Sequence, residues 1–143
     1  MTCFAKNLGK IMKRAILALS FLVTFVGAAQ AVDITGVVVQ GNGDKAQFER
    51  TLRLTSNMHE ILKNTKFEVV VFGPTVELLT AFSDEVPLIQ KVQGEGIKVV
   101  ACGRSLKTGN VKTEDLASGI SVVPFGAVYI VERQKQGWQY FKP

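Results

Sequence analysis

The chain has 143 residues, with 17 Lys and Arg against 12 Asp and Glu for a formal net charge of +5, 47% hydrophobic residues and two cysteines. The positive charge is concentrated in a leader holding Lys6, Lys10, Lys13 and Arg14 and no acidic residue, so the rest is nearly neutral and calls for neither nucleic acid nor an anionic membrane. Two cysteines are too few for a disulfide scaffold, and the stretch from Val32 to Pro143 allows one domain with its own core but not two.

The leader reads as a cleavable secretory signal over residues 1–31. Basic residues are followed by the apolar run Ala15 to Val26 (AILALSFLVTFV), then by Ala29-Gln30-Ala31, which fits a small-x-small cleavage pattern. The alternative is an uncleaved anchor, but the run falls well short of the ~20 apolar residues a membrane span needs. No stable membrane anchor is therefore expected, and the site of action is the periplasm after cleavage near Ala31. Met12-Lys13-Arg14 would itself make a compact signal start. Val32, not cysteine, follows the cleavage site, which argues against a lipoprotein.

In the domain at 32–143, Gly36 to Gln40 (GVVVQ) predicts a buried strand ending in the turn Gly41-Asn42-Gly43. Asp44 caps a helix over Lys45 to Lys63, with Phe48, Leu52, Thr55, Met58 and Leu62 as its apolar stripe. Phe67 to Phe72 (FEVVVF) is the second strand. Gly73-Pro74 opens a helix lined by Thr75, Leu78, Leu79 and Phe82, proline being suited to the first helical position. Val86 to Val92 is a further helical piece, and Ile97 to Ala101 (IKVVA) the third strand, followed at once by Cys102. Lys107 to Leu116 is a polar loop with a short helical turn, and Ile120 to Val123 a fourth strand. Ala127 to Val131 (AVYIV) favours a strand by local propensity, although Glu132 to Gln136 before Gly137 looks like a helix end. Trp138 to Phe141 is a short last strand, with Trp138 and Tyr140 as edge or interface packing. Strands alternating with helices imply βαβ units and a mostly parallel sheet, and strands apolar on both sides imply helices on both faces.

Cys102 is the main chemical candidate. Cys3 is lost with the leader, leaving Cys102 alone in an oxidising compartment, where it is bridged between chains, reactive or inert. It stands at a strand's carboxyl end, where open α/β sheets bind ligands at the reversal of strand order. A helical turn starting at Gly103 would aim free N–H groups at the sulfur and favour the thiolate, with Arg104 or Lys107 adding positive charge. The plain alternative is a packing cysteine, since free cysteine is among the most buried residue types.

Gly41-Asn42-Gly43-Asp44-Lys45-Ala46 matches a dinucleotide fingerprint only superficially. Asp44 would meet the pyrophosphate, and the second strand ends without an acidic residue, so the turn-and-cap reading wins. The single His59 lies mid-helix without partners for zinc, so no metal is expected, and a Cys102–His59 dyad would depend on the fold. There is no C-x-x-C motif for dithiol exchange. Glu114-Asp115 reads as a solvated turn.

Val70-Val71-Phe72-Gly73-Pro74, then Gly96 to Leu106 (GIKVVACGRSL), then Arg133 to Pro143 (RQKQGWQYFKP) together resemble the DsrE-like (DsrE/DsrF) sulfur-relay family, more narrowly its exported members that carry signal peptides. The resemblance runs over essentially the whole mature chain. It implies a single flavodoxin-like domain with a five-stranded, mostly parallel sheet, a helix over Ala127 to Gln136 against local propensity, and a homotrimer or homohexamer. It also implies a persulfide carried on Cys102. Asn57 and Ser105 match commonly seen family positions without a role derivable from the sequence.

Two readings follow. In the first, the protein is an exported carrier or sulfurtransferase that needs no cofactor and moves sulfane sulfur from a donor to an acceptor through Cys102. Gly103, Arg104 and Ser105 stabilise its thiolate. In the second, it is a non-enzymatic oligomeric binding module in which Cys102 is structural and the ligand lies beside Gly41 and Asn42. An exported persulfide would face oxidation, so the first reading requires shelter for the sulfur.

Overall fold

The computed structural model describes residues 34–143; the expected signal peptide at 1–31 and the start of the mature domain at Val32 lie outside them. The elements follow in chain order. Strand β1 (Gly36–Gln40) leads to helix α1 (Lys45–Ile61), and β2 (Lys66–Val71) to a 3-10 helix at Gly73–Leu79 and helix α2 (Val86–Gly94). Strand β3 (Lys98–Cys102) runs directly into α3 (Gly103–Thr108), and a 3-10 turn at Thr113–Asp115 precedes β4 (Ser121–Val123). Helix α4 (Gly126–Lys135) and β5 (Gln139–Phe141) complete the domain.

All five strands are parallel, in the order β4-β3-β2-β1-β5. The order reverses between β1 and β5, because successive strands step one way from β1 until the last returns to its other side. The layers are those of a flavodoxin-like α/β domain, and apolar runs such as VVV at 37–39 and 69–71 suit strands covered on both faces. On one face Val37, Val39, Val69, Val71, Val99 and Ala101 pack under α1, α2 and α3. On the other, Val38, Val70 and Val100 meet Ile130 of α4 and Trp138. The α4 face is the thinner cover, and Val128 and Val131 on its outer side remain half exposed.

Several sequence expectations shift. AVYIV is helical, as the resemblance implied and local propensity did not. Ile130 reaches the sheet core, and Tyr129 and Arg133 one turn apart both reach Glu68. Helix α3 begins at Gly103, ahead of the polar loop expected from Lys107. Phe82 does not line a buried helix. The 3-10 helix ends at Leu79, and Phe82 falls in the following turn with 88% of its surface exposed. Leu62, expected on the apolar stripe of α1, is instead that helix's partly exposed C-cap. Cys102 is the last residue of β3, not the first of a loop, because its backbone is in register with Val123 of β4.

Asp44 caps α1 as expected, its carboxylate accepting from Gln47 N at 2.8 Å. The turn before it is stapled to the 3-10 helix that follows β2. Thr75 Oγ1 donates to Gly43 O at 2.6 Å and accepts from Gly43 N at 2.9 Å. At the opposite edge the Trp138 ring lies where a side chain on Gly36 would be, since a Cβ there would come within 2.6 Å of it. Among the described residues no helix is long and apolar enough to cross a membrane.

Candidate functional site

Alternation along β3 decides which way the cysteine points. Val99 and Ala101 face α1 and α2, Val100 faces α4, and Cys102 shares the α4 side. There β3 ends against the start of α3 and, across the sheet end, the start of α4. Gly126, the first residue of α4, comes so close that a Cβ on it would lie 3.2 Å from Cys102 Cβ and 3.1 Å from Val70 Cγ1. Only a residue without a side chain lets the helix begin there without displacing its neighbours.

Cys102 is 1% exposed, yet it is not surrounded by hydrocarbon alone. Gly126 N–H, the Ser105 hydroxyl and the N–H groups of Ser105 and Arg104 stand around its sulfur and favour the thiolate, although the Arg104 N–H is itself donated to Pro124 O. Burial pushes the thiol pKa up, and these donors outweigh it, so the net direction is below the ordinary thiol value. Hydrogen bonds to a charged group contribute about 1.5–3 kcal/mol each, which is why several amides can offset desolvation. Ser105 is well suited to donate: its Oγ accepts from Gly73 N at 2.9 Å, which leaves its single O–H for the sulfur.

Outside the sulfur lies a hollow of about 470 Å³ lined by Phe72, Pro74, Glu77, Arg104, Ser105 and Phe125 among others. The Arg104 guanidinium sits over the Phe125 ring at 5.3 Å, and Arg104 N donates to Pro124 O at 3.1 Å. Cys102 does not itself line the hollow; Ser105 does, and its hydroxyl touches the sulfur. The arrangement is therefore an amide-lined thiol set one side chain behind an open, largely apolar pocket.

The sequence-predicted residues divide. Arg104 and Ser105 are brought to Cys102. Gly103 is not among the donors; a Cβ there would lie 3.2 Å from Val123 O, so its role is to let β4 approach. Gly41 and Asn42 end β1, two strands from β3 or about 10 Å across a sheet, and do not line the hollow. They do lie by the reversal of strand order, so Cys102 occupies a strand's carboxyl end but not the switch point. His59 stacks edge-on against Phe67 at 5.6 Å, on the face opposite Cys102, so no dyad forms. Asn57 is exposed on α1. Among the described residues no three His, Cys, Asp or Glu side chains gather as a metal site. Gly126 and Phe125 escaped the sequence reading, and the only local signal was a proline and a glycine flanking an aromatic residue before a helix.

Comparison with known proteins bears on this arrangement. A family model described as DsrE/DsrF-like matches residues 33–143. The fold is similar to that of MTH1491, a protein of unknown function from Methanobacterium thermoautotrophicum, at 27% identity and a TM-score of 0.72, over 78% of this chain and 100% of that one. It is also similar to the ychN protein of E. coli, at 13% identity and a TM-score of 0.67, over 77% and 100% of the two chains. A third likeness is BT1422 of Bacteroides thetaiotaomicron, a conserved protein of unknown function, at 15% identity and a TM-score of 0.62, over 76% and 95%. The last two likenesses speak to the fold alone. No curated protein matches the sequence.

Proposed function

The chain belongs to the DsrE/DsrF-like family, which is associated with sulfur relay, and from that premise we propose that it carries or transfers sulfane sulfur as a persulfide on Cys102. The observation that carries the reading is the set of N–H and O–H donors around a cysteine that is otherwise buried. A cysteine that only fills space has no use for N–H and O–H groups gathered around its sulfur, whereas a thiolate or persulfide anion needs them.

The transfer is redox-neutral. With thiosulfate as donor, the Cys102 thiolate attacks the sulfane sulfur, a new S–S bond forms, and sulfite leaves with the electron pair of the broken bond. The resulting persulfide anion sits among the same donors. An acceptor thiolate then attacks its outer sulfur, takes that sulfur, and releases Cys102 as thiolate. The hollow beside Arg104 and Phe125 is the place for donor and acceptor to enter, since Ser105, which lines it, lies next to the sulfur.

Burial of this kind suits an exported protein, because it shields a reactive sulfur from oxidants between encounters. The basic, apolar, small-residue leader supports export to the periplasm. Half-exposed Val128 and Val131, three residues apart on α4, support assembly into a homotrimer or homohexamer.

The test is intact mass. The full chain with Cys3→Ser, so that Cys102 is the one remaining cysteine, is incubated with thiosulfate or polysulfide, beside the same chain carrying Cys102→Ser. Gain of one sulfur atom that depends on Cys102 supports the reading. No gain with any donor, together with slow alkylation of the native thiol, supports the binding module instead; the near-complete burial of Cys102 is the observation that favours that second reading.

A further inference from the structure

Glu68 is a carboxylate inside the sheet. Its neighbours Phe67 and Val69 face α1, so Glu68 faces α4, where it is 2% exposed. It is met there by two residues of that helix. Arg133 Nε donates to Oε2 at 2.7 Å, the second terminal nitrogen of Arg133 donates to Oε1 at 2.8 Å, and the Tyr129 hydroxyl donates to Oε2 at 2.8 Å. The guanidinium lies between the rings of Tyr129 at 4.8 Å and Trp138 at 4.6 Å. Lys98 of the neighbouring strand stands at 3.9 Å.

Apolar contact alone would hold α4 loosely. Ile130 against Val38, Val70 and Val100 is a smooth surface, and non-directional packing tolerates small slides and rotations. A forked, charge-assisted pair does not, and Tyr129 adds a second attachment one turn away. Together they fix the helix both along its axis and about it. Gly126, whose N–H reaches the Cys102 sulfur, is the first residue of that helix, one turn before Tyr129.

We propose that Glu68, Tyr129 and Arg133 form a positioning clamp that holds the first amide of α4 against the sulfur of Cys102. The clamp rests on Cys102 being the reacting thiol, but its test needs no sulfur transfer. The carboxylate lies four residues back along the neighbouring strand, since Glu68 is in register with Lys98 and the cysteine is at 102. That is about 13 Å at the usual rise, so the clamp acts through the helix and not by contact.

The experiment measures alkylation of Cys102 by iodoacetamide against pH, in the full chain with Cys3→Ser and its Glu68→Gln, Tyr129→Phe and Arg133→Lys variants. Circular dichroism of each variant checks the fold. The plateau rate at high pH reports access, and the midpoint reports ionisation. The midpoint rises in Glu68→Gln and Tyr129→Phe, with a several-fold slower reaction at pH 7, and rises less in Arg133→Lys, which keeps the charge but not the fork. The charged groups on the surrounding elements are Lys98 on β3, Arg104 and Lys107 on α3, Glu132, Arg133 and Lys135 on α4, Glu77 on the 3-10 helix, and Lys66 and Glu68 on β2. Removing the negative charge of Glu68 would, by relief of Coulomb repulsion alone, favour the thiolate and lower the midpoint, so the sign separates the two effects. An unmoved or lowered midpoint in variants with native circular dichroism overturns the clamp. Should Glu68→Gln not fold, Tyr129→Phe, which removes one hydroxyl and no charge, decides the matter. If the midpoints move while wild type takes up no sulfur, the clamp stands and the transfer reading falls.

Discussion

Gly126 stands against Cys102 so closely that a single added methyl would lie 3.2 Å from the cysteine's Cβ. The start of a helix and the end of a strand are pressed together at the sulfur, and the amide that this approach brings there favours the thiolate. Gly126→Ala must therefore push the helix start outward. The expected outcome is an alkylation midpoint for Cys102 higher than wild type, with destabilisation of about 1–3 kcal/mol from overpacking against Val70, read in urea melts.

The lowered thiol pKa also links ionisation to folding. The folded value lies below the unfolded value, so the thiolate adds stability as pH rises through the folded pKa toward the ordinary ~8.5, and that gain is lost as pH falls back through it. As pH rises toward the ordinary thiol range the wild type should gain stability relative to Cys102→Ser. Parallel pH dependences of the two proteins in denaturant melts would contradict this.

Ser105→Ala removes the hydroxyl donor to the sulfur and leaves Gly73 N–H without its acceptor. Cys102 alkylation at neutral pH should fall roughly tenfold if the lost bond is worth about 1.4 kcal/mol to the thiolate. Ser105→Thr keeps the hydroxyl and should restore most of the rate.

How much of this was legible in the sequence differs from element to element. The runs GVVVQ, FEVVVF and IKVVA announce strands covered on both sides, because their apolarity does not alternate. Asp44 announces a helix start through a bond made three residues away. Helix α4 does not announce itself. Its β-branched residues favour a strand, and what makes it a helix is distant in sequence: Val38, Val70 and Val100 beneath Ile130, and Glu68 some 65 residues before Arg133. Glu68 in turn looks like an interruption in an apolar strand until its partners are in place. Cys102 was readable by residue type and position, but Gly126 was not, since nothing near it in the chain indicates that a cysteine will lie alongside.

Phe125, the residue before Gly126, lines the hollow with its ring under Arg104. Phe125→Ala should raise the plateau alkylation rate at high pH several-fold while leaving the midpoint nearly in place, because it opens access without removing an amide donor. In the same variant, a loaded persulfide should be lost faster to hydrogen peroxide. An unchanged plateau would mean that entry is by another route.

The half-exposed valines of α4 give a separate expectation. Val128→Lys and Val131→Glu should convert an oligomer to monomer in analytical ultracentrifugation without altering circular dichroism. If wild type already sediments as a monomer, the trimer or hexamer expectation is wrong.

Strand β5 has a single neighbour in the sheet, β1, with Val37 to Val39 in register with Gln139 to Phe141. The first and last strands of the domain thus complete each other, and because pairings between segments far apart in sequence are slow to form, the sheet gains this edge late in folding.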